Sequence, residues 1–282
     1  MRRWFAARRN GASLCCALLT ACVARPAVIE PTVSNEAQAA PASEVIDVVT
    51  YNVGGLPRWV AKVDGRKTHP LIGPGLASFD LALLQEDFWY HHLIDAPHAW
   101  QVRPRRGELF RLGDGLARFS HLPLGAVEHV PWKTAHGWTG HYNDQLAWKG
   151  FAVGRMSISQ DDFIWVYNVH FDAGGSRGDR EAREQQREQL IADILERTAP
   201  GDAMIVAGDF NTGANGLSDL RERTGLEDSG AGGIDRVLFR SGHDLTLRLA
   251  ADSARPEPDF DALRGLSDHG AVWVRIRLES AR

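Results

Sequence analysis

The chain has 282 residues and a net charge of −4, from 32 Lys and Arg against 36 Asp and Glu. Its three cysteines all lie within the first 22 residues, which excludes disulfides, thiolate metal sites and a cysteine nucleophile from the rest of the chain. Beyond residue 21 the acidic excess rises to eight, which argues against the broad basic surface typical of tight nucleic-acid binders.

The N-terminus predicts an export signal. Four arginines in the first nine residues precede a short apolar segment at 14–21, which is shorter than the roughly 20 residues that span a bilayer. The tetrad that ends at Cys22 resembles a bacterial lipobox, so we expect cleavage before Cys22 and attachment of a lipid to it. An ordinary signal peptide with a chance cysteine is the alternative. Val23, rather than Asp, after the cysteine favours the outer membrane if the host has two membranes, and the cell surface is the alternative.

Three regions follow from composition. Residues 1–21 are the predicted lipoprotein signal peptide. Residues 22–43 are rich in Ala, Pro, Ser and Glu without periodicity, which predicts a flexible tether. Residues 44–282 contain regular apolar patterning with no second linker and no repeat, so we expect one catalytic domain there.

The apolar patterning of the domain predicts strands alternating with a few helices. A charged segment at 179–197 carries a narrow apolar stripe and predicts a helix that ends before Pro200, and a second helix is expected at 74–78. Such an arrangement favours an α/β fold of two packed sheets flanked by helices. The predicted strands are, in chain order, 45–51, 81–84, 115–119, 151–158, 163–169, 203–207, 234–239, 245–249 and 271–278.

Polar residues lie at the ends of several of these apolar runs, where the stability of the fold does not require polar side chains. Each one has an ordinary structural explanation as a turn, a cap or a hydrogen-bonded residue. Their joint occurrence favours a site at one end of the sheets. The residues concerned are Asn52, Glu86, His170, Asp209, Asn211, Asp268 and His269.

These residue types match the requirements for cleaving a phosphodiester. Glu86 is the best candidate for a metal ligand, Asn52 adds a neutral oxygen, and Asp268 is expected in or beside the metal shell. Oxygen ligands suit Mg²⁺, with Mn²⁺ and Ca²⁺ as alternatives. His269 suits a general base because the pKa of a free histidine lies near neutral pH.

The remaining polar residues would act on the substrate. Asp209 and Asn211 would position the attacking water and a phosphoryl oxygen. His170 would face the phosphate from the other side and donate a hydrogen bond to developing negative charge.

Six short motifs occur in an order that resembles the endonuclease/exonuclease/phosphatase superfamily. The resemblance implies a four-layer α/β sandwich of two packed mixed sheets flanked by helices, and it assigns to Asp235 the role of orienting His269. It also implies a phosphoric ester hydrolase, since this superfamily includes deoxyribonucleases, abasic-site endonucleases, inositol polyphosphate phosphatases and bacterial sphingomyelinases. The motifs begin at Tyr51, Leu84, Asn168, Gly208, Ile234 and Ser267.

One segment points to a lipid substrate. Residues 144–151 resemble a segment of the bacterial sphingomyelinases. The loop at 172–179 would either hold an anionic headgroup or be an ordinary solvated loop. Trp132, Trp138 and Trp148 would either form a lipid-facing lip or pack in the core, and core packing is favoured.

We therefore expect a metal-dependent phosphodiesterase of the sphingomyelinase or phospholipase C type. Its partners would be a lipid phosphodiester and, through the anchor on Cys22, a membrane, and we expect a monomer. Two other enzymes fit the motifs, an inositol-phosphate phosphatase and a secreted nuclease. The nuclease requires a positive groove beside Glu86. A catalytically silent binding protein is disfavoured because the motif set is complete. The groove residues would be Arg103, Arg105, Arg106 and Arg177.

Overall fold

The computed structural model describes residues 25–34, 44–107, 112–137, 147–250 and 255–281. The helices are α1 (Gly65–Leu76), α2 (Arg177–Arg197) and α3 (Ser218–Thr224). The strands are β1 (Ala27–Ile29), β2 (Thr32–Val33), β3 (Val45–Asn52), β4 (Leu81–Gln85), β5 (Trp100–Val102), β6 (Ala117–Ser120), β7 (Leu124–Pro131), β8 (Gly150–Ser157), β9 (Phe163–His170), β10 (Met204–Asp209), β11 (Glu227–Asp228), β12 (Asp235–Arg240), β13 (Leu245–Leu249) and β14 (Val272–Ser280).

The strands form two mixed sheets. The first has the spatial order β1-β7-β8-β9-β10-β12-β11, and the second has the order β13-β14-β3-β4-β6-β5-β2. Each sheet has one parallel pair near its centre, β9 with β10 and β3 with β4, and its other pairs are antiparallel. Parallel neighbours end at the same edge of a sheet, so each parallel pair delivers two consecutive strand ends to one place.

Alternating side chains along the strands separate the layers. On β3, Ile46 and Val48 face the other sheet and enter the central core with Ile205 and Ala207 of β10. Val49 of the same strand belongs to a different cluster on the outer face of its sheet. The central core is therefore a layer of aliphatic side chains between the two sheets.

Helices cover both outer faces. Leu190, Ile191 and Ile194 of α2 and Leu220 of α3 pack against the first sheet. On the far side, α1 packs against the second sheet. The predicted four-layer α/β sandwich is confirmed.

The helix boundaries differ from the sequence-based expectation. Ser176 and Asp179 form a capping box that starts α2 at Arg177, two residues before the predicted start. The helix expected at 74–78 was wrong in extent, because α1 runs from Gly65 to Leu76 with two prolines inside it. Burial of its apolar side against the sheet outweighs the local cost of those prolines. In the described ranges, no helix is both long and apolar enough to cross a membrane.

The N-terminal segment also differs from the prediction. Ala27–Ile29 pairs antiparallel with β7, and Thr32–Val33 pairs with β5, so the flexible tether predicted over 22–43 was wrong for these residues. Both partners would otherwise be edge strands with unpaired backbone groups, which a short added strand satisfies. The predicted signal peptide and Cys22 lie outside the described residues and remain predictions.

Candidate active site

The predicted site residues converge at one end of the two sheets. Asn52 is the last residue of β3, and Glu86 directly follows β4, the parallel neighbour of β3. In the other sheet, Asp209 at the end of β10 lies opposite both His170 of β9 and Asp235 of β12. Strand register within each sheet thus brings together residues that are 34 positions apart in one sheet and up to 65 positions apart in the other.

Asn52 joins the two sheets at this edge. Its Nδ2 donates hydrogen bonds to Oε1 of Glu86 at 3.2 Å and to Oδ2 of Asp209 at 3.0 Å. Its Oδ1 accepts a bond from the backbone N–H of Gly54 at 3.1 Å. The amide nitrogen therefore faces Glu86, and Asn52 would serve as a metal ligand only with its amide turned.

His170 is fully buried beside these carboxylates. Its Nε2 lies 3.8 Å from Oε1 of Glu86 and 3.7 Å from Oδ2 of Asp209, and neither ring nitrogen has a hydrogen-bond partner. Burial, followed by the charges of Lys149 and His269, lowers the pKa of His170 well below its ordinary value. The neutral ring can donate one hydrogen bond, as its predicted role toward a phosphate requires.

His269 is held by two carboxylates. Its Nδ1 lies 2.9 Å from Oδ2 of Asp235 and 3.9 Å from Oδ2 of Asp209. Burial lowers the pKa of His269, but the hydrogen bond to Asp235 and the charges of Asp235, Asp209 and Asp268 outweigh it and raise the pKa to about 9. The bond to Asp235 fixes the ring and leaves Nε2 as the nitrogen available to a substrate.

Asp209 is the most central carboxylate of the cluster. Burial, and then the charge of Asp235, raise the pKa of Asp209 to about 6, while His269, Lys149 and the N–H of Asn211 oppose the rise. The Asn211 N–H donates to its Oδ1 at 2.9 Å. Asp209 therefore sits among partners of both signs, in contact with both sheets.

Backbone strain is concentrated at this site. Among the described residues, the two non-glycine residues with positive φ are Glu86 at 56° and Asn211 at 47°. Residues other than glycine rarely adopt positive φ, and such a backbone conformation persists where tertiary contacts impose it. Asn211 is held by a bond from its Nδ2 to the carbonyl of Phe171 at 3.0 Å. The strained turns aim both polar side chains at the end of the sheets.

Asp268 lies at the rim of the cluster. Its Oδ2 is 3.1 Å from Nζ of Lys62, and its Oδ1 accepts a bond from Oγ of Ser267 at 3.4 Å. Its side chain is 28% exposed, whereas that of Asp209 is 1% exposed. Its place in a metal shell remains a prediction.

Lys149 belongs to the candidate site, although the sequence marked it only as part of the segment 144–151 and not as a site residue. It is 7% exposed, its Nζ lies 3.5 Å from the carbonyl oxygen of Phe171, and its charge lowers the pKa values of His170 and Asp209. The sequence feature that could have identified it is a single lysine directly before the apolar strand that starts at Gly150. Such a position predicts burial, and a lysine is rarely buried without a specific role.

The donor set suits a hard divalent cation. Glu86 is 21% exposed and offers a carboxylate at the mouth of the site, with Asn52 beside it. Asp209, Asp235 and His269 also offer ligand atoms within 4.8 Å of one another. Nδ1 of His269 is bonded to Asp235, so Nε2 is the atom that His269 could offer to a metal or to a proton, and the acid–base role of this second set remains a prediction.

The tryptophans and arginines singled out in the sequence lie in different environments. Trp132 and Trp148 are buried, which confirms core packing for these two, and Trp138 lies outside the described residues. A pocket of about 760 Å³ lies against Asp87. It is lined by three of the predicted groove residues, Arg103, Arg105 and Arg106, whereas the exposed Arg177 pairs with Glu181 on α2.

A family model described as the Endonuclease/Exonuclease/phosphatase family matches residues 49–269, which include every predicted site residue. The chain belongs to this family. The resemblance seen in the motifs is thereby confirmed, and with it membership in a family of phosphoric ester hydrolases.

Curated relatives of this family member are sphingomyelinases. Those of Mycobacterium bovis and Mycobacterium tuberculosis are each 25% identical over 263 residues, which cover 80% of this chain and 51% of the relative. The chain thus spans about half the length of the curated relatives it matches.

Solved structures share the family fold. Beta toxin from Staphylococcus aureus has a TM-score of 0.60 at 16% identity, over 83% of this chain and 99% of that one. Sphingomyelinase C from Streptomyces griseocarneus has a TM-score of 0.60 at 17% identity, with the same coverage. Truncated TDP2 from Caenorhabditis elegans has a TM-score of 0.56 at 16% identity, over 83% of this chain and 98% of the truncated one. At such identities the likeness establishes the fold alone.

Proposed function

We propose that this family member is a divalent-metal-dependent phosphodiesterase that hydrolyses a phospholipid-like diester, in the manner of a sphingomyelinase or phospholipase C. The observation that carries the proposal is the cluster at the sheet ends. There a neutral, unpartnered His170 lies within 4 Å of two carboxylates, and the His269–Asp235 pair lies on the other side of Asp209.

The proposed chemistry divides between the two histidines. His269 would act in its neutral form, which is the minor form at neutral pH because its pKa is raised to about 9. This form would take a proton from the attacking water through Nε2, with Asp235 holding the ring and stabilising the charged form that results. The neutral His170 would donate a hydrogen bond to a phosphoryl oxygen. Asp209 and Asn211 would orient the water and the phosphate, and the charge of Lys149 beneath them favours an anionic substrate.

Glu86 would be the principal ligand of the divalent cation, with Asn52 and Asp268 as further ligands. Such a cation supplies positive charge to the phosphoryl group of the substrate. One structural relative, a double mutant of beta toxin from Staphylococcus aureus, was solved with bound magnesium ions and has a TM-score of 0.62, which supports Mg²⁺ as the first metal to test.

A lipid substrate is supported by the curated relatives, which are named sphingomyelinases. The acidic net charge of the chain is consistent with this choice, since it would repel an extended polyanion such as DNA.

The second candidate function is a nuclease, which one observation favours. Arg103, Arg105 and Arg106 line the pocket beside Asp87, next to Glu86. Arg105 is partly committed elsewhere, because its guanidinium stacks 4.4 Å above the ring of Trp148 and also donates to the carbonyl of Arg25. Two exposed arginines remain at this pocket for a nucleic-acid phosphate.

Substrate profiling separates the candidates. Purified protein would be assayed on sphingomyelin, phosphatidylcholine, inositol phosphates and plasmid DNA, with Mg²⁺ and with a chelator. We expect metal-dependent hydrolysis of a choline phospholipid. Glu86→Gln and His269→Ala should each abolish it while leaving thermal unfolding within a few degrees of the unaltered protein. Cleavage of DNA alone would instead establish the nuclease, and activity retained in either variant would refute the proposed site.

We also propose that the enzyme acts as an exported lipoprotein anchored through Cys22. The support is the arginine-rich start, the short apolar segment and the tetrad that ends at this cysteine. Labelling of the protein in cells with a radioactive fatty acid, lost in Cys22→Ala, would support the anchor. Equal labelling of the variant would rule out this attachment site.

A further inference from the structure

Two tryptophans are exposed on loops that leave the candidate active site. Trp59 is 82% exposed and the neighbouring Val60 is 52% exposed, in the segment that connects β3 to α1. Trp89 is 52% exposed and follows Glu86 by three residues. Large apolar side chains are seldom left this exposed together beside a site without a partner. These three residues are called the docking surface below.

The docking surface is tied to the mouth of the site. The backbone N–H of Trp89 donates to the carbonyl of Gly55 at 3.1 Å, which links the two loops. At the other end of the Trp59 loop, Nζ of Lys62 lies 3.1 Å from Oδ2 of Asp268. A Cβ placed on Gly54 would lie 3.3 Å from both Asp268 and Val63. The apolar residues therefore stand on loops anchored beside the proposed metal ligands.

The loop that carries Trp59 and Val60 is opposite in charge to the whole chain. Residues 57–67 contain four cations and one acid, in a protein with a net charge of −4. Two of the cations, Arg66 and Lys67, are exposed in the first turn of α1, where no acidic residue is present. Cations at a helix N-terminus oppose the helix dipole, so helix stability does not explain them.

We propose that Trp59, Val60 and Trp89 dock the enzyme on a phospholipid bilayer with anionic headgroups. Tryptophan prefers the interface between headgroups and acyl chains, where its ring is buried while its N–H stays hydrated. The cations that flank Trp59 complement the negative surface of such a bilayer. In this orientation, the end of the two sheets that carries the candidate active site would face the membrane.

This inference rests on the proposed function, because a docking surface beside the site is useful to an enzyme whose substrate lies in the bilayer. It adds a specific surface to that function. It also assigns the interfacial role to tryptophans other than Trp132 and Trp148, which are buried.

Vesicle flotation tests the inference. The full chain with Cys22→Ala, which removes the proposed lipid attachment site, would be mixed with vesicles of phosphatidylcholine, sphingomyelin and phosphatidylglycerol. Trp59→Ser combined with Val60→Ser should weaken binding about tenfold, because both side chains leave the interface. Leu195→Ser is the matched control, since the side chain of Leu195 is 54% exposed. It lies on α2, the helix that covers the outer face of the first sheet. The control should bind as the unaltered chain does.

Two further measurements make the outcomes distinct. Hydrolysis of the soluble diester bis(p-nitrophenyl) phosphate should be the same in all three proteins, while hydrolysis of vesicle lipid falls in the double variant. Full vesicle binding by the double variant would overturn the docking surface. So would a double variant that loses binding to single-stranded DNA while its binding to vesicles is unchanged. Absence of hydrolysis of either substrate by the unaltered chain would overturn the proposed function instead.

Discussion

The side chain of Gln85 on β4 donates a hydrogen bond of 2.7 Å to the amide oxygen of Asn168 on β9, across the interface between the two sheets. Asn168 in turn donates from Nδ2 to the carbonyls of Leu84 at 2.9 Å and Ala117 at 3.0 Å. Gln85 directly precedes Glu86, and Asn168 is two residues before His170. A buried polar clamp therefore holds the two halves of the site in register.

Removal of this clamp should affect both folding and turnover. Asn168→Ala leaves two buried carbonyls without their donor and creates a cavity, so we expect the free energy of unfolding to fall by about 2–4 kcal/mol. We also expect kcat to fall more than KM rises, because Glu86 and His170 lose their relative position. Urea unfolding and steady-state kinetics measure the two effects.

Thr50→Val is the matched control for the clamp. It removes only the hydroxyl that accepts from Gln85 at 3.0 Å and preserves side-chain volume. We expect a cost of about 1 kcal/mol and near-normal kcat. Similar kcat values in the two variants would show that the clamp does not position the site.

Asp235→Asn tests the pair with His269. The amide keeps the shape of the side chain but removes the negative charge that lies 2.9 Å from Nδ1 of His269. We expect kcat on a soluble diester to fall by about a hundredfold to ten-thousandfold, because the charged ring loses its stabilising partner. Unaltered circular dichroism would verify the fold, and a loss of less than threefold would exclude Asp235 as the orienting residue.

Gly208→Ala should disrupt the strand that carries Asp209. Gly208 has φ of 151°, and an added Cβ would lie 1.9 Å from the carbonyl oxygen of Val169 on the neighbouring strand. We expect the free energy of unfolding to fall by at least about 3 kcal/mol, with loss of activity. In Gly213→Ala the new Cβ has open space around it, so that variant should match the unaltered protein. Chemical denaturation compares the two variants, and equal stabilities would contradict the close approach at Gly208.

His98 should make stability depend on pH. Burial, and next the charge of His121, lower the pKa of His98 from its ordinary value of 6.5 to about 4. The unfolded chain therefore binds a proton first as the pH falls. The stability that His98 contributes is complete above pH 6.5 and is lost between 6.5 and about 4. A shift of this size corresponds to a loss on the order of 3 kcal/mol.

His98→Gln measures this loss. Glutamine can still donate to the carbonyl of Phe79, which lies 2.9 Å from Nε2 of His98, but it does not titrate. Urea unfolding at pH 7 and pH 4.5 should show a smaller decline in the variant than in the unaltered protein. His243→Gln, at an exposed histidine, is the control and should leave the decline unchanged. An equal decline in all three proteins would exclude His98 as its source.

The sequence by itself determined the fold class and identified most residues of the candidate site. Period-two apolar runs identified nine strands, and polar residues at their ends identified Glu86, His170 and Asp209, because a buried strand end has no local need for them. The order of the motifs supplied Asp235, which composition alone did not suggest. Short edge strands such as β1 and β2 escaped detection because pairing with a neighbour, rather than their own pattern, makes them strands.

Only the tertiary structure decided how those residues act on one another. The contact of Asn52 with both Glu86 and Asp209, and the burial of His170 and Lys149, depend on how two sheets pack. Packing sets the distances between charges and removes water from around them, and these two quantities fix the pKa values. Distances and burial depend on the three-dimensional packing and not on the order of residues in the sequence. For the same reason, only the folded chain could show that Trp59 is exposed while Trp132 is buried.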